Sequence, residues 1–435
     1  KLYLRGNKFE KVPEAIMELE SLELLDLSEN RLDSIPKDIV HLRNLKKLHL
    51  ESNEISILPD LEGLKNLRSL DLSENHLAYL PDSIGSLSCL KILDLSNNDL
   101  VKLNDSLGDL STLEILYLGK NKLKTLPVSI GNISSLMRLN LMDNNLRTLP
   151  KSISNLKNLS ALFLRKNEIK KLHKTIGKIT NLRYLGLKFN RLRNIPDSIG
   201  NLLCLDTLDL SNNNLERLPT SISNLNSLIT LSVSGNNLEE IPEQISDLSN
   251  LTRLYLDRNH LKMIPDSLGV LKLLKILKLD RNRLKKIPSS MRGLISLEDL
   301  DLYDNEIDLL PDIFKNLTSL RILDLSKNKI TRLPISIGSL SSLEEIDLSS
   351  NKLKSIPREI GNLESLQNLI LGFNDLSEIP ETIGNLKNLK TLDLGKNLLE
   401  EIPGEIGNLK SLKYLYLYYN RLDYLPKTIC HLNSL

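Results

Sequence analysis

Asp26, His49 and Asp71 recur at spacings of 23 and 22 residues, and a histidine between two carboxylates is a donor set that can hold a metal ion or move a proton. If each stands on a neighbouring strand, the three form a row with steps of about 4.8 Å. Aspartate is, however, the commonest residue of that column throughout the chain, and no cysteine or second histidine joins the row. The row is therefore not assigned as a metal or catalytic site. Asp301, Asp324 and Asp347 form a second acidic row, where like charges are expected to raise the carboxyl pKa values. Neither a glycine-rich phosphate loop nor a Ser, His and Asp set stands out, so the chain is read as non-enzymatic and without a cofactor.

A second group of residues has the chemistry of recognition. Tyr117, Lys120, Arg138, Met142, Asp143, Phe163, Arg165, Lys166, Tyr184, Lys188 and Phe189 occupy outward strand positions in four consecutive repeats, with five positive side chains against one negative. Aromatic rings beside arginine are what protein interfaces enrich as anchors. Tyr117, Arg138, Phe163, Arg165, Lys166, Tyr184, Lys188 and Phe189 are therefore the candidate protein-binding residues. The corresponding positions of the flanking repeats are acidic: Asp26, Glu29, Glu51, Asp71, Glu74 and Asp94 against Lys47 on one side, and Asp299, Asp301, Asp304, Asp324, Glu345 and Asp347 against Lys327 on the other. The expected partner is a protein whose surface is acidic and bears apolar pockets. Nucleic acid is not expected, because the acidic flanks would repel phosphate. A secondary candidate is the tyrosine cluster Tyr414, Tyr416, Tyr418 and Tyr419 on the last repeat.

The elements that must position these side chains follow from a ladder of asparagines. Asn7, Asn30, Asn53, Asn75, Asn98 and their successors to Asn420 make 19 rungs at steps of 23 residues, with one step of 22 between Asn53 and Asn75. All 17 prolines lie six residues after a rung, and only Asn104 and His173 replace proline there. A fixed period of this length is the mark of a stack of like units. Such a stack escapes the size limit of a single core, because each unit packs only on its neighbours. No linker or charge run interrupts the repeat, so residues 1–435 are read as one domain, and both ends fall within a repeat. The natural chain is expected to continue in at least one direction.

Within a unit such as Leu90 to Asn98 the pattern is LxxLxLxxN. Leu93 and Leu95 alternate with polar residues, which predicts a short half-buried strand. Stacked in one direction, these strands give a parallel sheet. The asparagine stands at the following turn, where its amide can bond main-chain groups of adjacent coils. The proline is expected to preset a helical φ for a short helical segment. Ile84, Leu87 and Leu90 then recur at spacing three, which suits a 3₁₀ or short α turn buried on one side. At the two rungs without proline, loss of pre-organisation worth about 0.4 to 1 kcal/mol is expected to be tolerated. The short step leaves Asp60-Leu61-Glu62-Gly63 after Pro59 and should tighten the turn there.

The charge balance, 57 Lys+Arg against 55 Asp+Glu, argues against a polybasic membrane or nucleic-acid arm. No run of about 20 apolar residues is present to span a bilayer. Cys89, Cys204 and Cys430 stand in repeats too far apart for disulfide bonds, which favours a reducing, cytoplasmic compartment.

The LxxLxLxxN ladder with (L/I)PxxIGxL continuations resembles the leucine-rich repeat proteins over the whole chain. The phrase IPxxIGNL at Ile195 to Leu202 and Ile356 to Leu363 is similar to the intracellular Ras-group leucine-rich repeat scaffolds, and the LxGxIP phrase of plant extracellular receptors is missing. The resemblance implies an α/β fold: a right-handed leucine-rich repeat solenoid, or horseshoe, with a parallel β-sheet on the concave face and short 3₁₀ or helical turns on the convex face. It further implies a recognition surface, for example for a small GTPase, phosphatase or kinase in signalling. The alternative is the ligand-sensing domain of an immune or surface receptor.

Overall fold

The computed structural model describes residues 1–435, which divide into two compact units, Lys1–Asn214 and Leu215–Leu435. The first carries ten short strands, from Leu2–Tyr3 to Thr207–Asp209, and the second nine, from Thr230–Ser232 to Tyr414–Tyr416. Within each unit every strand pairs in parallel with the next, aliphatic residue against aliphatic residue: Leu93 faces Leu116 and Leu139 faces Leu162 in the first, Leu300 faces Leu323 and Leu323 faces Ile346 in the second. The register advances by 23 residues per strand and by 22 only between Lys47 and Ser69. The solenoid of parallel strands and short turns expected from the sequence is what each unit contains.

The interior is a column of aliphatic side chains. Leu93 and Leu95 at the strand and Ile84, Leu87 and Leu90 at the turn are fully buried, and their equivalents in the other inner coils are buried too, whereas Leu2, Leu4, Leu415 and Leu417 in the end coils are only partly covered. The spacing-three phrase folds as 3₁₀ turns: Ile84 N–H donates to Pro81 C=O, Leu87 N–H to Ile84 C=O and Leu90 N–H to Leu87 C=O. Residues i and i+3 eclipse in a 3₁₀ turn, so these three side chains point into the same narrow core. Eighteen such helices occur, most of five residues. The glycine of the Ile-Gly-Asn phrase answers to a close approach of the next coil. A Cβ at Gly131 would stand 2.3 Å from the carbonyl oxygen of Ser152.

Two expectations are refined. The prolines precede their helices instead of opening them: Pro81 has φ −68° with an extended ψ of 152°, and Pro127 has φ −65° with ψ 153°. Proline suits this place because its fixed φ matches and its carbonyl begins the 3₁₀ ladder. Where it is replaced, His173 caps the helix by accepting the Thr175 N–H through Nδ1 at 3.2 Å, and the Asn104 amide donates to Asp82 Oδ1 at 2.8 Å. The shortened coil at Asp60 to Gly63 loses its helix altogether, and Leu61 alone enters the core there while its N–H donates to Ser83 Oγ. No helix is long and apolar enough to cross a membrane.

The asparagine ladder ties each coil to the one before it. Asn98 is buried; its Nδ2 donates to the carbonyls of Leu72 (2.9 Å) and Leu95 (3.2 Å), and its Oδ1 accepts the N–H of Leu77 at 2.9 Å. This pattern repeats along both units, for example at Asn144 and Asn328.

Candidate interaction surface

Along each strand the core leucines alternate with residues that face outward, so the outward columns form a surface whose background has a structural purpose. In the LDLS phrase the aspartate accepts two hydrogen bonds from the serine two residues on: Ser96 N–H and Oγ donate to Asp94 Oδ1 at 2.8 and 2.6 Å. The same clasp closes Asp26 with Ser28, Asp71 with Ser73, and Asp324 with Ser326. Four consecutive coils replace it by Tyr117 with Gly119, Asn140 with Met142, Phe163 with Arg165, and Gly186 with Lys188. Only Asn140 keeps half of the clasp, accepting Met142 N–H at 3.0 Å.

These coils place two aromatic groups side by side. Phe163 and Tyr184, on neighbouring paired strands, stack with centroids 4.7 Å apart at 30°. The Arg138 guanidinium lies 5.1 Å over the Phe163 ring. Phe189 receives Arg165 at 5.6 Å and Lys188 at 5.4 Å. Six of the eight primary candidates are thus in direct ring contacts. The other two stand apart: Tyr117 has no ring contact to the group, and the Lys166 ammonium pairs with Asp143 at 3.3 Å, which offsets its charge. Burial holds the Tyr184 hydroxyl above its ordinary pKa, nearby Asp209 adds to that, and Arg165 opposes it.

Gly186 adds a candidate position that the sequence did not reveal. A Cβ there would come within 2.8 Å of Tyr184 Cε1 and 3.0 Å of its hydroxyl, so the aspartate usual in this column would push the tyrosine off Phe163. Phe189 is the other unusual choice. Its column has positive φ in every coil, and Phe189 itself lies at φ 56°. The left-handed region costs an ordinary side chain roughly 1–2 kcal/mol, and asparagine tolerates it better. Two exposed cation-π contacts are worth about 0.5 kcal/mol each or somewhat more. The two effects nearly cancel, so Phe189→Asn should change thermal stability by less than about 0.5 kcal/mol while weakening partner binding. A stability loss as large as the binding loss would make Phe189 a structural residue.

In the secondary cluster Tyr416, Tyr418 and Tyr419 meet edge to face, and Lys396 sits between Phe373 at 4.3 Å and Tyr419 at 5.4 Å. Tyr414 is 55% exposed and makes none of these contacts.

Two members of the acidic row are raised, and burial is a larger cause than crowding. Asp301 and Asp347 are raised by burial first, with Asp324 adding to both. The largest effect falls on Asp280, which the sequence did not single out. Burial, then Asp301 and Asp257, push it up to about 6 against the opposing Arg281. A carboxyl raised in the fold contributes stability below its unfolded pKa near 4 and loses it as pH climbs through 6. Asp280→Asn should therefore stabilise the second unit at pH 7, by about 1 kcal/mol after allowance for solvent screening, and leave it unchanged at pH 4. Thermal unfolding at the two pH values checks this, and equal effects at both would refute it.

The aspartate row around His49 is in register as expected, with Asp26 and Asp71 on the strands to either side.

The family described as "Leucine-rich repeat region" matches residues 1–72, 54–145, 170–255 and 312–397, and "Leucine rich repeat" matches 134–192, 249–307, 272–330 and 387–435. None of the curated proteins compared is a significant sequence match. Among solved structures, a leucine-rich repeat protein of Leptospira interrogans is 34% identical, with 95% of this chain and 94% of that one covered and a TM-score of 0.77. The plant peptide hormone receptor RGFR1, in complex with RGF2, is 31% identical over 98% of this chain and 75% of its own, with a TM-score of 0.80. YopM from Yersinia enterocolitica is 26% identical over 98% and 88%, with a TM-score of 0.75.

Proposed function

The chain belongs to the leucine-rich repeat family, and from that premise we propose that it is a non-enzymatic recognition protein that grips a folded protein partner on the strand face of its first unit. The observation that carries this reading is the exchange made at Tyr117 to Phe189. The coils on either side close their turns with an aspartate and a serine, at Asp71, Asp94 and Asp209; the four coils between them give up those hydrogen bonds, worth about 1 kcal/mol each, and present rings and cations. Stability alone does not favour that exchange; an interface anchor does. The partner surface would be acidic, to meet Arg138, Arg165 and Lys188, with apolar pockets for Phe163 and Phe189.

The finer assignment is to a cytoplasmic scaffold of signal transduction, related to the Ras-group repeats and serving a small GTPase, kinase or phosphatase. It draws support from the IPxxIGNL phrases and from the three free thiols at Cys89, Cys204 and Cys430. The similar plant peptide hormone receptor favours a second reading, a ligand-sensing receptor domain whose same face takes an extended peptide. Affinity capture with the intact chain and with an Arg165→Glu, Lys188→Glu variant tests both. A folded protein held by the intact chain and lost by the variant supports the scaffold. Retention of short acidic peptides alone supports the receptor, and equal capture by both chains refutes the site.

A further inference from the structure

We propose that His49, Glu51 and Asp71 form a binding site for a divalent metal ion of the zinc class, on the acidic strand face of the first unit and apart from the aromatic group. One ligand atom from each of the three lies within 4.8 Å of the others. The set differs from the Asp26, His49 and Asp71 row that the sequence suggests. Glu51, two residues beyond the strand end at His49, joins His49 and Asp71, while Asp26 is tied to Ser28.

Two independent features point to a cation. His49 Nε2 and Glu51 Oε2 are both shielded from solvent, and neither has a hydrogen-bond partner. Buried polar atoms are rarely left so, and an ion is one of the few things that satisfies an imidazole nitrogen and a carboxylate oxygen together. The histidine Nδ1 stands 4.0 Å from Glu51 Oε2, too far for a hydrogen bond to close the pair on itself. The third ligand is pre-set: Asp71 Oδ1 accepts from Ser73 N–H and Oγ at 3.0 and 2.7 Å, which fixes the carboxylate and leaves Oδ2 to coordinate. Such outer partners orient ligands in known metal sites. A coordination sphere near 2.0–2.2 Å needs these atoms to close by about 1 Å, which rotation of the Glu51 side chain, 21% exposed, supplies. Asp26, Glu29, Glu74 and Asp94 add negative charge around the site, with Lys47 opposing it and Arg5 engaged by Glu29 at 2.6 Å.

The donor set fixes the class. One imidazole nitrogen and two carboxylates suit zinc, cobalt or manganese, whereas calcium and magnesium prefer all-oxygen shells. Three protein ligands leave a coordination position open.

Titration calorimetry with Zn²⁺ on the full chain, and visible absorption of Co²⁺ as a reporter of nitrogen coordination, test the site. The expected result is one ion per chain, bound at least about tenfold more weakly by His49→Gln and by Asp71→Asn, and more weakly by Ser73→Ala through the loosened Asp71. His76→Gln, at an exposed histidine paired with Asp99, should bind as the parent does. Amide exchange without metal establishes that each variant is folded; if His49→Gln is not, Asp71→Asn decides. Undiminished Zn²⁺ uptake in the folded variants, no saturable uptake by the parent, or tighter binding of Ca²⁺ than of Zn²⁺ would each overturn the proposal.

Discussion

Replacing Asn98 with leucine is expected to cost the first unit roughly 3 kcal/mol or more, concentrated in the coils that meet at that residue. The substitution orphans the buried N–H of Leu77 and takes one of two amide donors from the carbonyls of Leu72 and Leu95, which keep Asn75 and Asn121. The orphaned N–H costs about 1–3 kcal/mol and each bond lost from a still-partnered carbonyl about 1. Leucine has similar volume, so packing offers no comparable compensation. Asn98→Asp should cost at least as much, since its carboxylate still accepts from Leu77 but sets a buried charge against the carbonyl oxygens of Leu72 and Leu95. Stability in a stack is carried between neighbours, so hydrogen exchange should show lost protection around Leu77, Asn98 and Asn121, with the far coils of the unit unchanged. Uniform loss across Lys1–Asn214 would mean that the ladder is a global scaffold and not a coil-to-coil staple.

That ladder was legible because its cause is periodic. Asn98 reaches Leu72 and Leu77 in the coil before it, so the residue must recur at the length of one coil, and the leucines at Leu93, Leu95, Leu87 and Leu90 must recur with it. The candidate recognition residues stood out for the converse reason: Phe163, Tyr184 and Phe189 depart from the repeat. What stayed hidden depends on directions across strands. Glycine at 186 reads as a neutral gap until Tyr184 is seen lying over it. Glu51 stands two positions along from His49 and in another column, so following single columns joined His49 to Asp26 instead. Asp94 looked uninformative because aspartate is common there, yet it is common because it clasps Ser96. Nor does composition reveal that Arg138 and Arg165 already rest on the chain's own rings.

Those resting cations shape the second large effect. Phe163→Ala with Tyr184→Ala should weaken partner binding by about 2 kcal/mol or more, near thirtyfold in affinity, with loss mainly in dissociation rate. The rings stack at 4.7 Å and hold Arg138 in place, so they present a rigid, pre-ordered anchor and a placed charge together. Little side-chain entropy remains to be lost on binding. Folding should be nearly indifferent, since both rings sit on the strand face and neither belongs to the aliphatic interior. Charge reversal at Arg165 and Lys188 should act differently, slowing association and reducing its dependence on salt. Ser326→Ala, which removes one hydroxyl bond of a background clasp in the second unit, should leave binding intact. If that control loses the partner while the double aromatic variant keeps it, recognition lies elsewhere. Tyr416, Tyr418 and Tyr419, with Phe373 and Lys396, then become the surface to substitute, since rings and a cation replace the background there too.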